Sequence, residues 1–223
     1  MRNLSIFKGS RVLITGHTGF KGSWLSLWLA QLGADVYGVS LDPPTKSSHF
    51  IAADLASQIH DYRMDIRDLA ALKDLVEKIQ PDFVFHLAAQ ALVRPAYTSP
   101  TDTWQTNVIG TINVLESLRL LRDPCVAVLI TSDKCYDNVE WVWGYRETDA
   151  LGGPDPYSAS KGAAELAIRS YVRSFFPADG AVRIGVGRAG NVIGGGDWAE
   201  DRIVPDCMRA WSQGEIVPLR NPS

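Results

Sequence analysis

Residues 11–22 read Arg-Val-Leu-Ile-Thr-Gly-His-Thr-Gly-Phe-Lys-Gly, an apolar run followed at once by glycines at 16, 19 and 22. A short β-rich run, a glycine turn and the head of a helix, in that order, form the front end of a dinucleotide-binding unit. The first glycine permits a tight turn, the second lets a pyrophosphate approach the backbone, and the third lets helix and strand pack closely. The unpaired N–H groups and the dipole of the helix N-terminus attract the phosphates. The spacing alone also describes a glycine-rich turn that holds nothing. Its setting between strand and helix makes Gly16, His17, Thr18, Gly19, Phe20, Lys21 and Gly22 the expected cofactor turn.

Outward from this turn, short apolar runs alternate with helical patterns. Strands are expected at 11–15, 35–41, 59–64, 83–88, 126–131 and 182–187. The runs at 83–88 and 126–131 are apolar almost throughout, which suits strands covered on both faces of a parallel sheet. Helices are expected at about 20–32, 68–79, 101–121 and 156–176, with a further one at 203–213. In the second, Leu69, Leu72, Leu75, Val76 and Ile79 share one face. Gly33 ends the first and Pro81 follows the second. Alternating β and α units predict an α/β fold, a doubly wound parallel sheet of Rossmann type with right-handed crossovers. Two loops, 42–58 and 135–155, are longer than their connections need. The second carries Trp141, Trp143 and Tyr145, and reads either as a packed surface flap or as a wall of the active site. After Asn191 the chain changes character, with Gly194-Gly195-Gly196-Asp197-Trp198 as a flexible turn. The expected organisation is a dinucleotide-binding domain over 1–190 and, over 191–223, the beginning of a substrate-binding region whose remainder is missing.

Composition narrows the classes. With 223 residues, 46% hydrophobic and 21% charged, the chain suits a globular domain of good size. A net charge of −3 gives no basic footprint for nucleic acid. Cys125, Cys135 and Cys207 are scattered, so neither a disulfide framework nor a metal site is expected. No apolar run approaches the ~18 residues of a membrane span, and the N-terminus has no signal-peptide core. A cytoplasmic protein is expected.

The remaining cofactor candidates sit at strand ends. Asp42 lies 20 residues past Gly22. A carboxylate there accepts both ribose hydroxyls and repels a 2′-phosphate, favouring NAD over NADP. The competing reading is a solvated loop aspartate before two prolines. Asp65 and Ile66 follow the third strand, where an adenine edge could be met. Leu87, Ala88, Ala89 and Gln90 end the fourth with mostly small residues. The chemistry is expected at Thr131-Ser132-Asp133-Lys134 and at Tyr157 and Lys161, which share a helix face behind an Asp155 cap and Pro156. A nearby ammonium, with a cationic nicotinamide, would lower the phenol's pKa and let it take an alcohol proton as hydride leaves. A surface tyrosine–lysine pair is the bland alternative. His86, on an apolar strand, is more often a core histidine than a catalyst.

GxxGxxG with YxxxK at this separation resembles the extended short-chain dehydrogenase/reductase family, over essentially the whole chain. Residues 15–24, 131–138 and 188–198 resemble its CDP-glucose 4,6-dehydratases more specifically. That resemblance implies NAD as cofactor, a nucleotide sugar (CDP-glucose) as substrate and a homodimer built on the helix carrying Tyr157. It implies Tyr157 as the base at the sugar 4-hydroxyl, Ser132 as a hydrogen-bonding partner of the 4-oxygen and Asp133 as the acid for the departing hydroxyl. Asn191 would meet the substrate phosphates, and Arg94 and Asn107 would lie near the sugar and the catalytic strand. Lys134 departs from the glutamate that sister dehydratases carry. It would be a tuned base, a stabiliser of the enolate or merely a partner for Asp133. An epimerase, a dehydratase for a dTDP-, GDP- or UDP-hexose, and a non-catalytic NAD-binding sensor remain the alternatives.

Overall fold

Residues 4–217 are described by the computed structural model. Six strands form one sheet: β1 (Arg11–Thr15), β2 (Asp35–Ser40), β3 (His60–Arg63), β4 (Phe83–His86), β5 (Cys125–Ile130) and β6 (Val182–Gly187). Their order is β3-β2-β1-β4-β5-β6, and every pairing is parallel. This is the doubly wound sheet expected from the alternation of elements. The order reverses between β1 and β4, and such a switch point opens a crevice at the carboxyl ends of the strands.

Side-chain alternation along β1 shows how both faces are used. Leu13 points into the larger core, with Leu72, Leu75 and Val76 of α3 (Leu69–Ile79) and Val114, Leu115 and Leu118 of α6 (Gly110–Leu118). Val12 and Ile14 point the other way, toward Leu29 of α1 (Phe20–Gln31). Chain direction is set by caps: Gly33 ends α1 at φ +84°, and the Asp68 carboxylate accepts from Ala71 N at the head of α3.

Three expectations need correction. Residues 101–121 do not form one helix. They divide into α5 (Pro100–Trp104), a π-helical stretch (Gln105–Ile109) and α6, preceded by α4 (Val93–Thr98). The π stretch turns Asn107 inward, where its side chain is bonded to Gln90 and Ser160. The 42–58 loop carries a short helix, α2 (His49–Ala52), and a 3-10 turn. Full coverage of β5 does not hold either: Val126 is 43% exposed, because the cluster that α1 forms on that face reaches from β2 across β1 to β4 and stops short of β5.

After β6 the chain returns to α1. Trp24 Nε1 donates to Gly195 O at 2.9 Å, and the Trp24 ring stacks on His49 at 4.0 Å. An added Cβ at Gly196 would lie 2.5 Å from His49 Cβ, so only a glycine fits this crossing. The 20-residue α7 (Pro156–Phe175) connects β5 to β6 and carries the candidate catalytic pair. The glycine crossing leads into α8 (Ile203–Ser212). No described helix is long and apolar enough to cross a membrane.

Candidate active site

The glycine turn is built to a close tolerance. Gly16 sits at φ +81°, and a Cβ there would lie 2.6 Å from Ala88 N, so the carboxyl ends of β1 and β4 nearly touch. A Cβ on Gly22 would lie 2.1 Å from Gly16 O. Gly19 is the extended N-cap of α1 and offers no side-chain cap, which leaves the first N–H groups of the helix for an anion. Thr18 Oγ1 ties the turn to the end of β2, through Ser40 Oγ at 2.8 Å and Leu41 O at 3.0 Å. His17 is fully buried and joins Asp61 at 2.8 Å; burial holds its imidazole below the ordinary pKa against the pull of Asp61. This cradle, which any side chain would fill, fits a dinucleotide pyrophosphate.

The flanking candidates are spread along the same edge. Asp42 is exposed, two residues beyond the end of β2. Asp65 is engaged by its neighbour: Arg67 Nε and Nη2 reach its carboxylate at 2.8 and 2.6 Å, and these bonds hold the carboxyl below its usual pKa. Ile66 is buried against Gly110. Leu87 and Ala88 pass directly beside Gly16, and Ala89 and Gln90 follow them. Asn107 is 1% exposed, and its amide accepts from Gln90 N and donates to Gln90 O and Ser160 Oγ. It therefore positions backbone in this structure, holding the end of β4 against the helix that carries Tyr157. Arg94 is 71% exposed and paired with Asp201. Asn191 is exposed beyond β6.

The two halves of the expected catalytic group come together. Asp155 caps α7 by accepting from Tyr157 N at 2.9 Å and Ser158 N at 3.0 Å. This seats Tyr157 and Lys161, 8% and 7% exposed, against the end of β5. The Tyr157 hydroxyl lies close enough to Ser132 for that group to favour its ionised form, and it senses the Asp133 carboxylate. Ser132 Oγ donates to Asp133 Oδ1 at 2.9 Å and accepts from Lys134 N at 3.2 Å. Asp133 and Lys134 are exposed at the mouth, and no ion pair joins them.

Among the protein's own groups, burial raises the Tyr157 pKa, with Asp133 and Asp155 adding to the rise and Ser132 and Arg202 opposing it. It is Lys161 that is strongly shifted. Burial, followed by the nearby Lys21, brings its ammonium down to about 8, while Cys135 and Glu165 oppose the fall. Lys21 is lowered in turn by burial and by Arg202, and Asp133 opposes that. Two cations absent from the expected chemistry therefore border the mouth. The sequence places Lys21 only with the phosphates, and it makes Arg202 no candidate at all. Arg202 Nη1 is held by Asp197 at 2.7 Å. Nothing in the sequence flags it, since it stands 11 residues past Asn191 in an irregular stretch.

In the 135–155 loop Tyr145 stacks on Tyr136, their centroids 5.0 Å apart, and Trp141 lies tilted against Tyr145. The loop is packed at its base, while Val142 and Trp143 are exposed at its tip. Among the described residues no group of His, Cys, Asp and Glu could hold a metal, and all three cysteines are free.

A parallel sheet of this order, with a serine, an aspartate, a tyrosine and a lysine near the glycine turn, defines a dinucleotide-binding fold of the Rossmann type. The chain belongs to the GDP-mannose 4,6 dehydratase family, whose profile matches residues 13–177. Among curated proteins it is 50% identical, over its whole length, to a CDP-glucose 4,6-dehydratase of Salmonella typhimurium. It spans 63% of that relative's length. Among solved structures, the UDP-glucose 4-epimerase of Thermotoga maritima superposes with a TM-score of 0.81 at 24% identity, over 95% of this chain and 66% of the other, a likeness of fold. The UDP-glucose 4-epimerase of Thermus thermophilus, solved as a complex with NAD, has a TM-score of 0.73 at 27% identity, over 86% of this chain and 58% of the other.

Proposed function

We propose that this chain carries the NAD-binding and catalytic part of a nucleotide-sugar 4,6-dehydratase that converts CDP-glucose to its 4-keto-6-deoxy product. The observation that carries this reading is the convergence of Tyr157, Ser132 and Asp133 over a buried Lys161, beside the glycine turn. The 50% identity to a CDP-glucose 4,6-dehydratase supports the substrate. The tolerances at Gly16 and Gly22, and the NAD complex of the T. thermophilus epimerase, support the cofactor. A nicotinamide dinucleotide, when bound, supplies the hydride store that makes the dehydration internally redox-neutral.

The protein's own residues handle protons and oxygens. Tyr157 Oη accepts the proton of the sugar 4-hydroxyl, and Ser132 Oγ hydrogen-bonds the same oxygen. Burial makes the phenol a reluctant acid, while Ser132 and the Arg202 cation at the mouth favour its ionised form. Asp133, at the open end, delivers a proton to the departing 6-hydroxyl. Lys134 forms no ion pair with Asp133 and is exposed; as the free amine it takes the C5 proton, and the ammonium so formed faces the negative charge left on the enolate. Asp42 accepts the ribose hydroxyls, Asp65 and Ile66 border the adenine, and residues 191–217 begin the nucleotide-sugar wall, with Asn191 and Arg94 on its approach. The assembly in this reading is a cytoplasmic homodimer through α7, where Leu166 is 54% exposed.

The test is to incubate the full-length protein with CDP-, dTDP-, GDP- and UDP-hexoses and follow the 4-keto chromophore. Turnover of CDP-glucose is expected, and Tyr157→Phe should abolish it while NAD still binds. Absence of a keto product from every nucleotide sugar would refute the assignment, and near-normal activity of the variant would remove Tyr157 from it.

A further inference from the structure

Glu165 is 6% exposed, lies one helical turn past Lys161 and two past Tyr157, and has no part in the steps above. Its Oε1 accepts from Thr131 Oγ1 at 2.5 Å and from Arg188 Nε at 2.9 Å, and its Oε2 accepts from Arg188 Nη2 at 3.0 Å. The remaining Arg188 Nη1 donates to Tyr136 Oη at 2.7 Å, and the guanidinium lies 4.7 Å over the Tyr136 ring. The backbone on either side of Arg188 holds the catalytic strand end: Thr131 N donates to Gly187 O at 2.9 Å, and Asp133 N to Ala189 O at 3.2 Å. Extended residues alternate in direction, so Thr131 faces Glu165 while Ser132 faces Tyr157. A buried ion pair adds little net stability, because desolvation offsets the attraction. What this one supplies is a fixed distance between strand and helix.

We propose that Glu165 and Arg188 are positioning residues that set residues 131–133 against the α7 face carrying Tyr157 and Lys161, an inference that rests on the roles assigned to those groups above. The same carboxylate also supports the charge of Lys161. The groups facing Lys161 are Lys21 from α1, Cys135 from the turn after β5, Glu165 from its own helix and His86 from β4. Those facing Glu165 are Arg188, Thr131 and, more distantly, Arg169. Removal of the Glu165 charge leaves burial and Lys21 acting on Lys161 with less opposition, so the lysine loses its proton at lower pH.

The experiment uses full-length Glu165→Gln, which keeps an acceptor for Thr131 and loses the charge, and Thr131→Val, which loses one hydroxyl and keeps the ion pair. Glu165→Gln should lower kcat on the order of tenfold or more with KM and NAD affinity within about twofold. The alkaline limb of its kcat profile should move to lower pH. Thr131→Val should fold normally and lower kcat with that limb in place. A wild-type profile and a kcat loss no larger than the loss of folded protein in Glu165→Gln would overturn the proposal, as would wild-type kcat in Thr131→Val. Should the wild type turn over no nucleotide sugar, the assigned function fails on its own. The side-chain NMR titration of Lys161 then decides the present point: a lower midpoint in Glu165→Gln supports it, and an unchanged one refutes it.

Discussion

His86 should make this domain acid-sensitive, and the amount follows from its contacts. The ring is 3% exposed between Thr15 and Thr111. Thr111 Oγ1 donates to Asn107 O at 2.7 Å, so it can only accept from His86 Nε2–H at 3.0 Å. That leaves Nδ1 as the acceptor for Thr15 Oγ1 at 2.7 Å. A second ring proton would have to sit on Nδ1, against this donor, in a buried site near the Lys161 charge. Burial, then Lys161, brings the pKa from 6.5 to about 3. The sign is fixed by linkage: below its unfolded pKa the open chain takes up a proton that the folded chain refuses. This contribution is therefore complete above about pH 6.5 and is lost as the pH falls toward the folded value. Each pH unit in that window costs about 1.4 kcal/mol, or roughly 2 kcal/mol between about pH 6.5 and pH 5. Urea unfolding of the wild type and of His86→Gln across this range would measure it. The variant starts less stable but should lose less on acidification, since the depressed carboxyls of Asp65, Asp82 and Glu165 remain in both proteins and cancel in the comparison. Equal pH slopes in the two proteins would refute the reasoning.

Gly22→Ala forces a methyl to within 2.1 Å of Gly16 O, a backbone atom that cannot swing aside. It should destabilise the domain by about 1–3 kcal/mol, and calorimetry that finds NAD binding undiminished would dismiss the turn as the phosphate site. Asp133→Asn should permit oxidation at C4 but block elimination, so absorbance of the reduced nicotinamide should build up on mixing with CDP-glucose; normal product formation would free Asp133 of the acid's role. Asp42→Ala should narrow the preference for NAD over NADP, and titrations showing the wild type to bind both equally would exclude Asp42 as the ribose ligand.

Every strand of the sheet was legible in the sequence to within two residues, because five of the six leave short apolar runs that glycines and helical stripes punctuate, and the polar β3 fills the place their alternation leaves for it. The glycine turn and the Tyr157–Lys161 pair were legible for a similar reason: each depends on local spacing, which folding cannot rearrange. What escaped depends on contacts distant in sequence. The π-helical stretch at 105–109 keeps the helical apolar rhythm, so nothing in the periodicity marks the extra residue that turns Asn107 toward Gln90. Arg202 reaches the mouth only because Gly194–Gly196 crosses α1, a packing of loop on helix with no periodic signature. Glu165 could have been found, since it continues the helix face of Tyr157 and Lys161 by one more turn. The sense of the Tyr157 shift could not, because burial, its largest cause, is invisible along the chain.

The two margins of the sheet are dressed very differently. β3 presents His60, Asp61 and Arg63, charged or titratable groups that discourage another strand from adding on. β6 reads Val-Arg-Ile-Gly-Val-Gly, pairs among the described residues only with β5, and leaves Val186 42% exposed on the face of the sheet that packs against α7. Unpaired main-chain groups next to an exposed valine are a template for strand addition between molecules. A preparation of residues 1–223 should therefore self-associate through this margin as its concentration rises, and a lysine in place of Val186 should keep it dispersed.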